Sequence, residues 1–577
     1  MRFPVTQRIL TSVFIFGFSV CIFIPSLKND FVWDDTEVIE KSYYSFNPHR
    51  ILSVVVPKET QTKRARYYRP MFYISVVLDR YLWGITPYGF HLSNIIFHST
   101  ATVLLYLMIL MLLSEFGTEK KEQIALFSSL LFAVHPMHVE SVSWIAGRTD
   151  IICGLFLFLA FIFHMISYKV YLATLLSAFS FFLSLLSKEV AIVFPLITLS
   201  FDLLNLKLKD RRNILKYSIY LSTVFIYLYL RGRAFITVPG SSLINLSETA
   251  KESLGIWEII RTLLNSYFIY INKLVFPFSF NAFIGEVPAN PYYTASSLFV
   301  LLTISVISFI LLIRGEKSFF FNILWIIITL APSLLVAIFK IASTPIAERY
   351  LYIPSAGYCI LLASAILNPR LRNQRLSILI LVLICLVFLP FNIKRQGVWE
   401  DNLSLWEDTS KKSFHHALPH TNYALALMKA NREEEAIREF TIALTPDIKD
   451  TNRGRAITLN NLGILYIKRE DYTSAERVFL KALNLDPSYG RTYYHLGLIY
   501  FIKGEYGDAS GYITAERYLK QTLSIYKNYG RAHLLLAKVY LRRGEKEKAM
   551  EQARIAIRSG LSEPLVKEAQ DILQVDN

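Results

Sequence analysis

The sequence predicts an all-α protein, a polytopic membrane helical bundle of about eleven transmembrane helices followed by an α-solenoid. Three observations predict it. Of the 577 residues 53% are hydrophobic and 14% aromatic, and the mean hydropathy is +0.37, too apolar for an ordinary soluble chain. The apolar runs stop near residue 392, where the chain turns polar and charged. The polar part then repeats a helical-hairpin pattern at a step of 34 residues. The divisions expected are a membrane domain over 1–392, a connector over 393–416 and about four repeats over 417–577.

Arg2 and Arg8 precede an apolar run from about Ile9 to Ile24. No small-x-small cleavage site follows, and Pro25-Ser26-Leu27-Lys28 leads straight on, so the run reads as an uncleaved first helix with its N-terminus in the cytoplasm. Next comes Phe31-Val32-Trp33-Asp34-Asp35-Thr36-Glu37, two adjacent carboxylates where the chain leaves the bilayer. Further segments long enough to span lie at 91–113, 123–141, 149–167, 170–187, 189–206, 213–231, 294–313, 319–340, 348–367 and 376–392. The run 256–277 carries Arg261, Asn265, Asn272 and Lys273 and reads as interfacial or re-entrant, or as a further span that would move the Glu348 loop and the C-terminal domain to the other face; the count below takes it as not spanning. On that count Glu119-Lys120-Lys121, 207–212 and 370–375 are cytoplasmic, as the positive-inside rule asks. The Asp pair, His135 to His138, Arg148, Lys188-Glu189 and Glu348-Arg349 then share the outer side with the C-terminal domain.

In that domain Leu462-Gly463-x-x-Tyr466 recurs as Leu496-Gly497-x-x-Tyr500, and the first copy continues through Ala475, Phe479, Ala482 and Pro487. Leu536-Ala537-x-x-Tyr540 with Ala549, Ala553 and Ala556 is a further copy; Tyr423-Ala424 with Ala436, Phe440 and Ala443 is an earlier one. This is the tetratricopeptide repeat signature, in which small residues let paired helices approach and aromatics fill the gaps. Gly504 to Ala509 reads as a six-residue insertion in the third copy.

The net charge of +16 suits basic cytoplasmic loops and anionic, phosphate-bearing lipids. Nucleic acid is not an expected partner, since no compact basic patch with interleaved aromatics is present. Cys21, Cys153, Cys359 and Cys385 all fall inside apolar segments, so neither disulfides nor cysteine metal sites are expected.

Several groups are candidates for chemistry. Asp34 and Asp35 read either as a cap or solvated turn, or as a base acting on an incoming hydroxyl; an aromatic, basic loop with Lys63, Arg64, Arg66, Tyr67, Tyr68 and Arg69 follows them. His91, Asn94 and His98 share one helix face, which suits helix–helix hydrogen bonding or substrate contact. His135-Pro136-Met137-His138-x-Glu140 raises metal binding, but Pro136 breaks the register and neither HxxxH nor HExxH is present, so orienting a carboxylate or sugar hydroxyl is preferred and no cofactor is expected. Arg148, Lys188 and Arg349, the last beside Glu348, stand at the outer edges of different helices. Each reads alone as an ion-pair partner; together they suit a lipid phosphate.

The order VWDD, YYRP…WGITPYGFHLSN, HPMHVESVSWIAGRTD, SKE, AERYLYIPSAGY and then tetratricopeptide repeats resembles the TMTC family and its bacterial relatives, over nearly the whole chain. That resemblance implies a GT-C-like membrane glycosyltransferase that moves a sugar, mannose or another hexose, from a polyprenyl-phosphate donor to a protein hydroxyl on the lumenal or periplasmic face. It implies catalytic roles for Asp34 and Asp35, and the residues themselves suggest donor-phosphate contacts from Arg349, Arg148 and Lys188 and substrate contacts from His91, Asn94, His135, His138, Glu140 and Glu348. An inverting reaction, a bacterial inner membrane and repeats that recruit the acceptor complete the expectation. The competing class is a non-catalytic, membrane-anchored repeat scaffold for envelope complexes. A transporter ranks behind both, because the charges cluster at helix ends.

Overall fold

The computed structural model describes residues 5–40, 51–56, 68–206, 211–236, 255–339, 341–342, 344–368 and 373–574. Lys63, Arg64, Arg66 and Tyr67 of the basic loop lie outside the described residues. Among the described residues there is no strand, only the isolated bridges Ile284–Ile346 and His416–Lys449. The chain divides into two compact units, Met1–Asp408 and Thr409–Asn577.

The first unit contains α1 (Val5–Phe23), α2 (Pro70–Trp83), α3 (Pro87–Glu115), α4 (Lys121–Val134), the short α5 (Val139–Ser143), α6 (Arg148–Ile166), α7 (Leu172–Ser187), α8 (Phe194–Leu204), α9 (Arg211–Ile236), α10 (Ile256–Val275), α11 (Pro291–Ile313), α12 (Lys317–Ile338), α13 (Pro354–Ile366) and α14 (Gln374–Val398). Proline opens the first turn of α2, α3, α8, α11 and α13. Its missing N–H costs nothing there and its fixed φ suits the helix.

Among the described residues six helices are long and apolar enough to cross a membrane: Val5–Lys28, Pro87–Glu115, Ile145–Ile166, Pro291–Ile313, Lys317–Ile338 and Gln374–Val398. The protein is an integral membrane protein. Three of the expected spans are broken, each by a short 3₁₀ turn. Pro136–His138 divides α4 from α5, Glu189–Val193 leaves α8 only 11 residues, and Glu348–Leu351 leaves α13 only 13. The 256–277 run forms one helix, α10, with Asn265, Ser266, Tyr270 and Lys273 buried and Ile256 and Trp257 exposed. The three breaks matter most, because they carry the polar residues inward and position the site.

The second unit is built of helical pairs. After α15 (Asn402–Lys412), which straddles the division, come α16 (Ala417–Lys429) and α17 (Glu433–Ala443), then α18 (Asn452–Lys468) and α19 (Tyr472–Leu485). Next are α20 (Gly490–Glu505) and α21 (Ser510–Ile525), then α22 (Gly530–Arg542) and α23 (Lys546–Arg558), with α24 (Glu563–Leu573) closing the array. Gly463 shows why the small positions are small: a Cβ there would lie 2.4 Å from the Phe479 ring. Ala475, Phe479, Ala482, Ala549, Ala553 and Ala556 are all fully buried.

Candidate active site

The loop after α1 is tied down by residues far along the chain. The Ser26 hydroxyl donates to Gln396 Oε1 at 2.7 Å, Asp30 N–H donates to Glu400 O at 2.8 Å, and Trp33 N–H donates to Asn402 Oδ1 at 2.9 Å. Trp33 takes a left-handed φ of 55°, which a bulky residue adopts only when its surroundings hold it. Those surroundings are aromatic. Its indole stacks on Trp144 with centroids 5.1 Å apart, lies 6.4 Å from Trp399, and meets the edge of Trp406 at 5.2 Å.

This fixed turn separates the two aspartates. Asp34 is exposed, while Asp35 is fully buried. Asp35 Oδ1 accepts from Ala146 N–H at 2.9 Å and Oδ2 from Val32 N–H at 3.2 Å, so this carboxyl clamps the loop to the turn before α6. Burial pushes its pKa up to about 7, against the opposing pull of the two N–H groups and of Arg148.

The histidines fill one polar seam. His135 Nδ1 accepts from Met137 N–H at 3.4 Å, so Nε2 carries the proton it gives to Leu274 O at 3.2 Å. His138 Nε2 lies 2.8 Å from Ser355 Oγ, and His98 Nδ1 lies 2.8 Å from Tyr352 Oη. Asn94 Nδ2 donates to the carbonyls of Val142 and Trp144, and His91 is fully buried on the same helix. Among the described residues no three His, Cys, Asp or Glu side chains gather as a metal site. These groups brace the turn beneath the Asp loop, and none of His91, Asn94, His135 and His138 is exposed for substrate contact.

The three helix-edge cations are each engaged by a carboxylate. Arg148 is fully buried; it donates to Asp79 Oδ2 at 2.5 Å, to Phe90 O at 3.0 Å and to Ser75 Oγ at 3.3 Å. Its guanidinium is a strut between α2, α3 and α6, which leaves it no exposed face for a donor phosphate. Lys188, also buried, reaches both oxygens of Asp150 at 2.6 Å and lies 4.7 Å from the Tyr350 ring centroid. Arg349 differs. It pairs with Glu140 through its side chain, and its N–H also donates to Glu140 Oε2 at 3.1 Å. Yet its side chain keeps 14% of its exposure, and its guanidinium lies 5.3 Å from the Trp144 ring centroid and 5.1 Å from that of Tyr350. Trp144 therefore touches both Trp33, next to Asp34, and Arg349. Burial alone would lower the Arg349 pKa, but the Glu140 anion outweighs it and keeps the guanidinium charged.

Glu348 belongs to a separate knot. It accepts from Lys273 Nζ at 3.1 Å, from Asn281 N–H at 2.6 Å and from Arg395 Nη2 at 3.3 Å, and Arg395 also donates to Asp408. Burial opposes ionisation of Glu348, yet these cations and the N–H hold its pKa low. It is 1% exposed, so it anchors the turn that carries Arg349.

The sequence reading missed Asp79, Arg395 and the four-tryptophan stack. Asp79 had a signal, as the single acid in a mostly apolar and aromatic α2. Trp33, Trp144, Trp399 and Trp406 had none, because nothing in their spacing relates them. Arg69 and Glu189 were noticed separately. The structure joins them by two hydrogen bonds at 2.9 and 3.3 Å, and they are among the more exposed ionic groups here. Burial would raise the Glu189 carboxyl, but Arg69 holds it down to about 2.

Bundle and paired helices define a multi-helix membrane unit and a tetratricopeptide array. A family model described as a tetratricopeptide repeat matches residues 456–489. Over 467 residues the chain is 26% identical to a protein O-mannosyl-transferase of Caenorhabditis elegans, covering 77% of this chain and 63% of that protein. It is 27% identical to the human protein O-mannosyl-transferase TMTC1, covering 69% and 49%, and 25% identical to the mouse TMTC4 enzyme, covering 73% and 64%. These homologues are TMTC-family protein O-mannosyl-transferases, as the sequence resemblance implied. The chain spans about half to two-thirds of the length of the curated relatives it matches.

Proposed function

We propose that this protein is a membrane glycosyltransferase that moves mannose, or another hexose, from a polyprenyl-phosphate carrier to a hydroxyl of a protein acceptor on the extracytoplasmic face. The observation that carries the reading is that Trp144 stacks on Trp33, the neighbour in sequence of the exposed Asp34, and also lies against the guanidinium of the partly exposed Arg349. A carboxylate base and a fixed cation are the two charges an inverting displacement needs. Asp34 accepts the proton of the acceptor hydroxyl as its oxygen bonds to the anomeric carbon, and the carbon–oxygen bond to the lipid phosphate breaks. Arg349 stabilises the negative charge that collects on the departing phosphate. No redox or metal step is required for that balance, and transfer is expected to persist in the presence of a chelator.

Asp35, Arg148 and Lys188 are assigned positioning roles, because each is buried and bonded within the bundle. The repeats are assigned to the acceptor, consistent with their class and with the acceptor named for the relatives. The domain reading that goes with this is 1–392 for catalysis, 393–416 as connector and 417–577 for recruitment, in a bacterial inner membrane.

The test is transfer by the purified protein from a panel of polyprenyl-phosphate sugars to a hydroxylated acceptor, wild type against Asp34→Asn. Loss of transfer with donor binding retained supports the reading. Full transfer by the variant removes Asp34 from the chemistry. A wild type that binds no polyprenyl phosphate restores the scaffold alternative, which the complete pairing of Arg148 and Lys188 would equally suit.

A further inference from the structure

The far end of α6 carries a cavity that the proposed chemistry does not use. α6 belongs to the apolar helix Ile145–Ile166, long enough to cross a membrane, and Ala146 at its start holds Asp35. The chain beyond Ile166 therefore stands at the opposite end of that span from the Asp loop. There Ser167, Lys169, Tyr171 and Thr174, on the way into α7, and Leu215 and Lys216 of α9 line a cavity of about 30 Å³. That is room for roughly two water-sized groups. Lys169 and Tyr171 are exposed, while Ser167, Thr174 and Lys216 are buried.

A polar network fixes the protein behind it. Asp202 of α8 accepts from His164 Nε2 at 3.1 Å, from Tyr217 Oη at 2.8 Å and from the Tyr168 hydroxyl. His164 Nδ1 lies 3.0 Å from Tyr220 Oη, which in turn lies 2.9 Å from Ser177 Oγ. The Tyr168 ring so held has the Lys216 ammonium 3.4 Å from its centroid, a contact in which the ring face stabilises the cation. Lys216 is thereby fixed at the cavity by its surroundings, although lysine is a flexible side chain.

The remaining lining is suited to an anion. Thr174 is 3% exposed, and its hydroxyl makes no hydrogen bond among the described residues. Ser167, by contrast, gives its proton to His164 O at 2.6 Å. α7 begins at Leu172, with Tyr171 at its N-cap and no side-chain cap. The Ala173 and Thr174 N–H groups are taken by the Val170 and Tyr171 carbonyls, so the helix contributes the positive end of its dipole. Among the described residues no carboxylate lines the cavity. Two lysines, a buried hydroxyl and a helix N-terminus thus meet in one small space.

We propose that this cavity binds a phosphate group, with Lys216 and Lys169 as counter-charges and the Thr174 hydroxyl as hydrogen-bond donor. The group is carried by an anionic phospholipid headgroup or by a free phosphate ester. Basic pockets between helix ends on the cytoplasmic side suit lipid headgroups, and the basic loops of the sequence assign this end to the cytoplasm. The site is separate from Asp34 and Arg349, and its occupation does not depend on sugar transfer.

The test is thermal melting of the full chain in detergent with added inorganic phosphate, with dioleoyl phosphatidic acid, or with dioleoylglycerol, which has the same acyl chains and no phosphate. A ligand of the folded state raises the melting temperature as its concentration rises. A rise with phosphatidic acid alone supports a lipid headgroup, a rise with inorganic phosphate alone supports a soluble ester, and a rise with both supports a site open to either. Lys169→Gln, at an exposed position, should weaken the apparent affinity about fivefold. Lys216→Met with Thr174→Val should remove the rise, and where that double variant does not fold Lys169→Gln decides alone. An equal rise with dioleoylglycerol, or no rise with any addition, overturns the proposal. So does a rise that Lys169→Gln leaves unchanged, because the phosphate then sits elsewhere, as on Arg349.

Discussion

Asp34 and Asp35 are neighbours in sequence with opposite environments, and substitution should separate them. Asp34→Asn is expected to leave the melting temperature within error and to remove transfer. Asp35→Asn places an NH₂ group against one of two backbone N–H donors, and an unsatisfied buried donor costs about 1–3 kcal/mol, so this variant should melt lower. The pH dependence has a definite sign. With its folded pKa raised to about 7, Asp35 contributes stability that is present at low pH and lost as pH rises from about 4 through about 7. The stability gap between wild type and Asp35→Asn should therefore be wider near pH 5 than near pH 8, as thermal melts at the two values would read. Arg349 needs a paired design, because removing it strands Glu140 in a buried site at a cost of roughly 3–5 kcal/mol. Glu140→Gln combined with Arg349→Gln should recover much of the fold. If Arg349 only holds the turn, transfer returns with stability. If it serves the phosphate, transfer stays lower by roughly two to three orders of magnitude, the scale of losing one preorganised donor worth about 2.7–4 kcal/mol.

At the scale of elements, the turns decide where these side chains go. The breaks at Pro136, Glu189 and Glu348 interrupt three apolar runs with short 3₁₀ turns, each placing a charged or histidine residue within the bundle. Irregular backbone of this kind is tolerated in an apolar surrounding only when protein covers it, and here His135, His138, Glu348 and Ser355 are buried and hydrogen-bonded. Gly147 closes the corner before α6. A Cβ there would lie 2.6 Å from Glu140 O, so Gly147→Val should open the turn, release Asp35 from Ala146 and lower both melting temperature and transfer. The Arg148–Asp79 strut makes a contrasting case. Arg148→Met should destabilise by roughly 3–5 kcal/mol, and Asp79→Asn added to it should restore part of that loss, with transfer following stability in both.

For the whole molecule, the two units have separable expected roles. Removal of 417–577 should abolish transfer to protein acceptors and spare binding of the polyprenyl-phosphate donor, measured on the same detergent preparation. Loss of donor binding as well would make the repeats structural. The apolar composition, the shift near residue 392 and the repeated Leu-Gly-x-x-Tyr pattern determined the class of both parts, because burial periodicity and composition are local properties of a chain. The order of motifs likewise pointed to the relatives that comparison returned. What only the tertiary structure decided is which charges are spent. Arg148, Lys188 and Arg349 look alike as cations at helix edges, yet their partners Asp79, Asp150 and Glu140 lie 38 to 209 residues away, and the first two pairs are sealed from solvent. The same holds for Trp33, whose turn is set by Trp144, Trp399 and Asn402. An ion pair or a ring stack forms between surfaces brought together by packing, so sequence separation carries no record of it, and the difference between a buried strut and an available cation appears only once the bundle has closed.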